Sequence, residues 1–383
     1  MDSLRHGSLH LAHTIDRETA DRLRRWDDAV TLTPRGDLGP WQVDLYRHLR
    51  SATVGASTRI EGNQLSVAEV EAVLHGESVD ASPGARLEVA NYNQALNLAT
   101  SFALVPDFSW SHLVFTAING QILQGLPDDR HGRYRDGPVS VGESYEGPHA
   151  SRVPELMTTL IDWAGGSTDH PVVRSALLHL NVVAIHPWFD GNGRSSRVVS
   201  TLELLRSGVR APEFVNIEPY LASNRAEYIA HLQAAHGPTF RPEEHSATEW
   251  VAYMVRVSTD RLSIERRLTE AMEHDYGRLS VELERRGDPL DWMSTLWAAA
   301  AMPIRTRDVA GAFQRSMPWA RARLAQMVAQ GWLRQSGRTR AASYVATDRL
   351  VDMGLRMPDL MRRYDLGLSL DPASSDGSSD AAD

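Results

Sequence analysis

Apolar residues recur along most of this chain at spacings of three and four, the period that gathers them on one helix face. From Trp41 a helical pattern runs through Leu45, Leu49 and Val54 and stops at Gly62-Asn63, where glycine suits a left-handed cap. Ser66 with Glu69 predicts a capping box that opens a helix to about Leu74, and 78–84 reads as a loop. Helices are expected over 86–104 and 110–126, the second ended by Pro127. The stretch 132–142 is too glycine-rich for a helix and reads as a short hairpin with Val139 and Val141 as alternating apolar residues. Helix 153–164 follows, then an apolar run over 172–185 long enough for a buried helix. Pro187, Gly191 and Gly193 interrupt it until Arg194 opens another helix, ending near Ser207 with Gly208 as its cap. A further helix starts at 224–228, and Ser246 with Glu249 predicts a second capping box before a helical stretch through Val251, Val255, Leu262 and Leu268.

The pattern changes after a boundary at 286–289. Compact helices over 292–301, 307–313 and 319–330, then two strands between 331 and 345, read as a helix-turn-helix with a wing. Residues 303–345 carry eight arginines (Arg305, Arg307, Arg315, Arg321, Arg323, Arg334, Arg338 and Arg340) against Asp308 alone, a local charge of +7 in a chain of net −9. That excess suits a phosphate backbone. A winged helix serves equally as a protein-contact module, so DNA and protein stay open as its partner. Arg321 and Arg323 fall early in the expected recognition helix, and Arg338 and Arg340 on the wing.

At 383 residues and 42% hydrophobic content the chain has room for two or three ordinary domains. No stretch approaches the roughly 20 apolar residues of a membrane helix, and no signal-peptide pattern opens the chain, so a cytoplasmic protein without membrane contact is expected. The absence of cysteine excludes disulfides and thiol catalysis, and all forty basic residues are arginine, which excludes a Walker-type lysine. The 15 histidines include no HExxH pair. The polar, acidic 374–383 reads as disordered.

One stretch holds the chemistry. Residues 186–197 read His-Pro-Trp-Phe-Asp-Gly-Asn-Gly-Arg-Ser-Ser-Arg. Gly191-Asn192-Gly193 can turn successive N–H groups toward an anion at the start of the following helix, which fits a phosphate chain. Arg194 and Arg197, three apart, share one helix face and can grip adjacent phosphates. Asp190 suits Mg²⁺. His186, with an ordinary pKa of about 6.5, is a natural base for a hydroxyl proton. The residues point to nucleotidyl or phosphoryl transfer.

The stretch resembles the signature of the Fic family, His-Pro-Phe-x-Asp/Glu-Gly-Asn-Gly-Arg-x-x-Arg, with Trp188 and Phe189 at the aromatic and variable places. The resemblance implies transfer of AMP from ATP to a Ser, Thr or Tyr hydroxyl of a target protein, with His186 as base and Asp190 holding Mg²⁺. It gives the α- and β-phosphates to the loop and Arg194, and the γ-phosphate to Arg197. Residues 57–63, Ser-Thr-Arg-Ile-Glu-Gly-Asn, resemble the family's inhibitory motif Ser/Thr-x-x-x-Glu-Gly/Asn, assigning self-restraint to Ser57, Glu61 and Gly62 through a contact of Glu61 with Arg197. The hairpin resembles the family's flap, which pairs with target backbone through Val139 and Val141. Tyr228 falls where aromatics of the family lie against adenine or ribose.

The expected fold is mainly α: a Fic-type helical core with a β-hairpin flap, followed by a small winged helix-turn-helix domain. The expected boundaries are 1–108 for an N-terminal helical region with the inhibitory helix, 109–260 for the core, 261–287 for a helical linker, 288–350 for the winged helix and 351–383 for a tail. The expected function is a self-inhibited protein adenylyltransferase that also modifies itself. The alternative is a nucleotide-sensing DNA-binding regulator with a silent Fic domain. A homodimer is left open as the assembly.

Overall fold

The computed structural model describes residues 8–31, 40–127, 131–141, 145–209, 213, 215–301, 303–313, 315–337 and 342–355. The wing arginines Arg338 and Arg340 and the acidic tail lie outside them. The chain divides into two compact units, one from 1–34 and 49–263, the other from 35–48 and 264–383. The expectation of a mainly helical fold holds.

In the first unit the elements run α1 (Arg17–Thr31), the latter part of α2 (Pro40–Ile60), α3 (Val67–Leu74), α4 (Pro83–Ala103), α5 (His112–Leu123), β1 (Ser140–Val141), β2 (Tyr145–Glu146), α6 (Val153–Gly166), α7 (Pro171–Ile185), α8 (Asn192–Arg206), α9 (Glu218–Ser223) and α10 (Arg225–His236). The start of α11 (Thr248–Arg286) also belongs to it. At its centre α7 packs against α8, which α4 and α5 also contact. Apart from Arg174, residues 172–185 are buried, so the apolar run of the sequence is the central helix.

α8 is buried although polar, and its side chains find partners inside. Ser200 pairs with Ser175 at 2.8 Å, and Arg174 and Trp110 both bind the Glu203 carboxylate. Such pairing is what allows polar groups into a core. At its start, α3 has the expected capping box: Ser66 accepts from the Glu69 N–H at 3.3 Å while the Glu69 carboxylate takes the Ser66 N–H at 2.9 Å.

Four expectations shift. The hairpin expected over 132–142 sits later: its strands are 140–141 and 145–146, with Val141 opposite Tyr145, because Gly132 at φ +69° and the burial of Arg135 commit 132–139 to a loop. Ser246 does not box with Glu249; its hydroxyl accepts from the Thr248 N–H at 3.2 Å instead. The stretch 261–287, expected as a helical linker, is helical to Arg286 but opens no new helix: it continues α11 without a break, since its charged residues have helical propensity. Helices α1 and α9 were not foreseen. Among the described residues no helix is long and apolar enough to cross a membrane.

The second unit holds the remainder of α11, then α12 (Met293–Ala301), β3 (Ile304–Arg305), α13 (Thr306–Ala312), α14 (Met317–Ala329), β4 (Leu333–Ser336), β5 (Ser343–Ala346) and α15 (Asp348–Val351). The helix, helix, hairpin order is that expected from the sequence, and β3 joins the hairpin in an antiparallel sheet ordered β3-β5-β4. One expectation fails here. Arg323 does not project from α14: it is 6% exposed, bonded to Asp291 at 2.8 Å, with Phe313 and Trp319 rings 4.7 and 5.1 Å away. The two rings and the carboxylate hold the guanidinium inside the unit.

Candidate active site

His186 ends α7 in left-handed backbone, φ 50° and ψ 62°, the one non-glycine residue so placed among those described. That conformation turns the chain sharply out of the helix at a cost of roughly 1 kcal/mol. The ring Nδ1 lies 3.3 Å from the Val183 carbonyl, which can only accept. Nδ1 therefore carries the proton and Nε2 keeps its lone pair. Burial lowers the imidazole pKa to about 4, with Arg135 adding to the effect and the Val183 carbonyl opposing it, so the ring is neutral near pH 7.

The loop after it is held by its own side chains. Asn192 closes a ring with Trp188, donating to its carbonyl at 2.9 Å and accepting its N–H at 3.1 Å. These two bonds fix the amide in the loop and leave its backbone N–H at the start of the following helix. Asn119 on α5 donates to the Asp190 carbonyl at 3.0 Å and accepts the Gly132 N–H at 3.0 Å, tying the loop to the segment that leads into the hairpin. Gly191 has φ +78°, and a Cβ there would stand 2.9 Å from the Asn119 amide, so the turn needs glycine twice over.

Past the loop, the first turn of α8 presents N–H groups with no partner inside the helix, beside the positive end of its dipole. Arg194 in this turn and Arg197 in the next are 5% and 1% exposed. Arg194 bonds Asp190 at 3.2 Å and faces Glu88 at 3.7 Å. Asp190 spends Oδ1 on Arg194 and the Gly191 N–H while its side chain stays 60% exposed.

Glu61 already sits on this anion seat. Arg197 donates to its carboxylate at 2.8 Å, to the Ser57 hydroxyl at 2.7 Å and to the Ser57 carbonyl at 3.1 Å. A Cβ added to Gly193 would meet Glu61 Oε1 at 2.5 Å, so the carboxylate lies directly over the glycine of the cradle. Burial raises the carboxyl, but the guanidiniums of Arg197, Arg194 and Arg225 outweigh it and hold Glu61 below the ordinary carboxylate range. Gly62 ends α2 at φ +104°, which lets the chain turn away just behind the carboxylate.

Arg135 was not singled out by sequence, yet it joins hairpin to base. Buried at 3% exposure, it donates to the His186 carbonyl at 2.7 Å, to that of Gly137 at 2.9 Å and to Pro148, while its own N–H binds the Pro187 carbonyl at 2.9 Å. Val139 and His186 both lie against Gly147. The side chain of Val141 lies outside the described residues.

Tyr228 departs from expectation. It is 2% exposed, its hydroxyl is 2.9 Å from His179 Nε2, and its phenol faces Arg197 from behind. No ring face is left for a base. The patterned helix placed it correctly on an inward face but gave no means to tell core from cleft. Asn119 and Arg135 gave no sequence signal, since each acts through loops far away along the chain.

Two central helices joined by a loop that ends in an anion seat define a class of helical phosphate-binding domain. Residues 110–204 match the model of the Fic/DOC family, and the chain carries a Fic domain. It is 30% identical over 191 residues to the protein adenylyltransferase fic-1 of Caenorhabditis elegans, covering 48% of this chain and 36% of that one. It is 26% identical over 248 residues to the protein adenylyltransferase Fic of Nematostella vectensis, covering 62% and 55%. The chain thus spans between a third and just over half of those relatives' lengths. Among solved structures, a Fic family protein from Desulfovibrio desulfuricans G20 superposes with a TM-score of 0.57 at 25% identity, over 88% of this chain and 98% of that one.

Proposed function

We propose that the protein is a self-restrained protein adenylyltransferase, moving AMP from ATP to a Ser, Thr or Tyr hydroxyl of a target protein and of itself. The observation that carries this reading is the anion seat at the start of α8, filled by the chain's own Glu61 carboxylate beside a neutral imidazole. The names of the curated relatives support it.

In this reading the N–H groups of 192–194 and the Arg194 guanidinium bind the α- and β-phosphates, and Arg197 binds the γ-phosphate once Glu61 has left. The target's hydroxyl oxygen attacks the α-phosphorus, its proton passes to His186 Nε2, and the bond from that phosphorus to the bridging oxygen breaks, releasing pyrophosphate. Asp190, whose carboxylate is 60% exposed, would be the residue to hold a Mg²⁺. When bound, that ion would neutralise phosphate charge. Ser140 on β1 offers target backbone an edge to pair with.

Glu61 opposes ATP by occupying the cradle and by repelling phosphate. A charge-assisted hydrogen bond contributes about 1.5–3 kcal/mol, and solvent at the 37% exposed carboxylate trims that to about 1–2 kcal/mol. Tenfold damping is the consequence. The test is incubation of the full chain with ATP labelled on the α-phosphate. Glu61→Gly should incorporate at least tenfold more label than the parent, and His186→Ala in that background should abolish it. No label in Glu61→Gly would overturn the reading. The DNA-binding alternative loses support, because Arg323 is buried.

A further inference from the structure

Behind Arg197, away from the cleft, lies a set of buried polar side chains that no step of the reaction uses. Tyr92 and Glu218 are both 0% exposed. Tyr92 donates its hydroxyl to Glu218 Oε1 at 2.8 Å, and its phenol oxygen faces the Ser57 side chain. Glu218 Oε2 accepts no hydrogen bond among the described residues. Burial pushes the Glu218 carboxyl up, and its own N–H, Tyr92 and the guanidiniums of Arg197 and Arg261 pull it back. Keeping a carboxyl in the core with one bare oxygen is destabilising. Glu218 stands at the start of the short helix α9, where the helix dipole favours its charge but leaves Oε2 bare.

The hydrogen directions supply the reason. Arginine only donates, so Ser57 Oγ accepts from Arg197 Nε and has its one proton left to give. Tyr92 gives its proton to Glu218, so its oxygen is free to take that of Ser57. A single set of directions satisfies Arg197, Ser57, Tyr92 and Glu218 in turn, and it requires an acceptor at the far end. Glu61 takes one NH2 hydrogen of Arg197, whereas Ser57 holds Nε and the other NH2 hydrogen. Departure of Glu61 therefore leaves the guanidinium still fixed from behind.

We propose that Glu218, acting through Tyr92 and Ser57, is a positioning residue that aims the Arg197 guanidinium at the terminal phosphate of ATP, independently of the inhibitory carboxylate. This rests on the adenylyltransferase reading for what Arg197 grips. It goes beyond that reading in assigning ATP-over-ADP preference to two residues that touch no substrate.

The experiment measures ATP and ADP dissociation constants by calorimetry on the full chain in the Glu61→Gly background. Glu218→Leu and Tyr92→Phe should each weaken ATP about tenfold, the size of one charge-assisted bond, while ADP stays within about twofold because Arg194 and the loop hold the inner phosphates. Glu218→Gln keeps an oxygen for Tyr92 and should retain the parent's ATP-to-ADP ratio. A merely structural role would lower the unfolding temperature or the active fraction without moving that ratio. Tyr92→Phe preserves shape and decides the matter should Glu218→Leu not fold. If the parent prefers ATP and Tyr92→Phe keeps the same ratio, the positioning role is wrong while the site reading stands. A Glu61→Gly parent that shows no preference for ATP would overturn both.

Discussion

At the residue scale the site turns on protonation and on one ion pair. Because burial lowers the His186 pKa from 6.5 to about 4, the folded protein disfavours the charged ring, and the neutral base persists down to about that pH. The acid limb of kcat/KM, which reports the free enzyme, should therefore fall near pH 4–5 in Glu61→Gly rather than near 6.5. The sign for stability is the same: the contribution of the buried neutral ring is full above 6.5 and is lost as pH falls toward 4. An acid limb at 6.5 would show that His186 is solvated in the working state. Glu61, held below its ordinary range, keeps its charge and its grip on Arg197 throughout the neutral region, so inhibition should not vary between pH 6 and 8. Arg197→Ala in the Glu61→Gly protein should undo the gain in transfer.

At the element scale the hairpin geometry is specific enough to test. The Glu146 N–H binds the Pro238 carbonyl at 3.0 Å and its carbonyl accepts from Phe240 at 3.2 Å, so its backbone points away from β1. Ser140, its partner in the register, consequently points its N–H and carbonyl outward, and Val141 is the residue that bonds β2. In the proposed reading, the edge contact with target backbone that the resemblance implied for Val139 and Val141 would fall to Ser140. Ser140→Pro should cut transfer to a protein target about tenfold while leaving ATP affinity in Glu61→Gly unchanged, as seen by calorimetry alongside the labelling assay. Equal transfer by that variant would remove the hairpin from target binding. The sequence located this element by its glycines but set it too early, because the burial of Arg135, which holds 132–139 in a loop, has no local signature.

At the scale of the whole molecule, the face that α14 exposes bears on what the second unit can bind. The exposed positions of α14 are Met317, Pro318, Arg321, Ala322, Ala325, Gln326 and Ala329, a face with one guanidinium. Arg323→Ala should lower stability by about 1–3 kcal/mol through lost hydrogen bonding and ring contact, read as a drop in the unfolding temperature of the full chain, whereas Arg321→Ala should not. Neither should alter sequence preference in fluorescence anisotropy on random and self-promoter duplexes. A preference that Arg321→Ala relaxes would restore the DNA reading.

The sequence by itself determined the buried helix before the loop, the glycines of the loop and the imidazole after the helix. Each is written in contiguous residues whose backbone freedom or charge is intrinsic. Only the tertiary structure decided which side chains stand behind them. Ser57 meets Arg197 across 140 positions and Tyr92 meets Glu218 across 126, and no period or motif encodes such distances. The same reason moved Tyr228 and Arg323 inward. A helix pattern states which face is apolar, but which neighbours cover that face depends on elements that the chain brings up later.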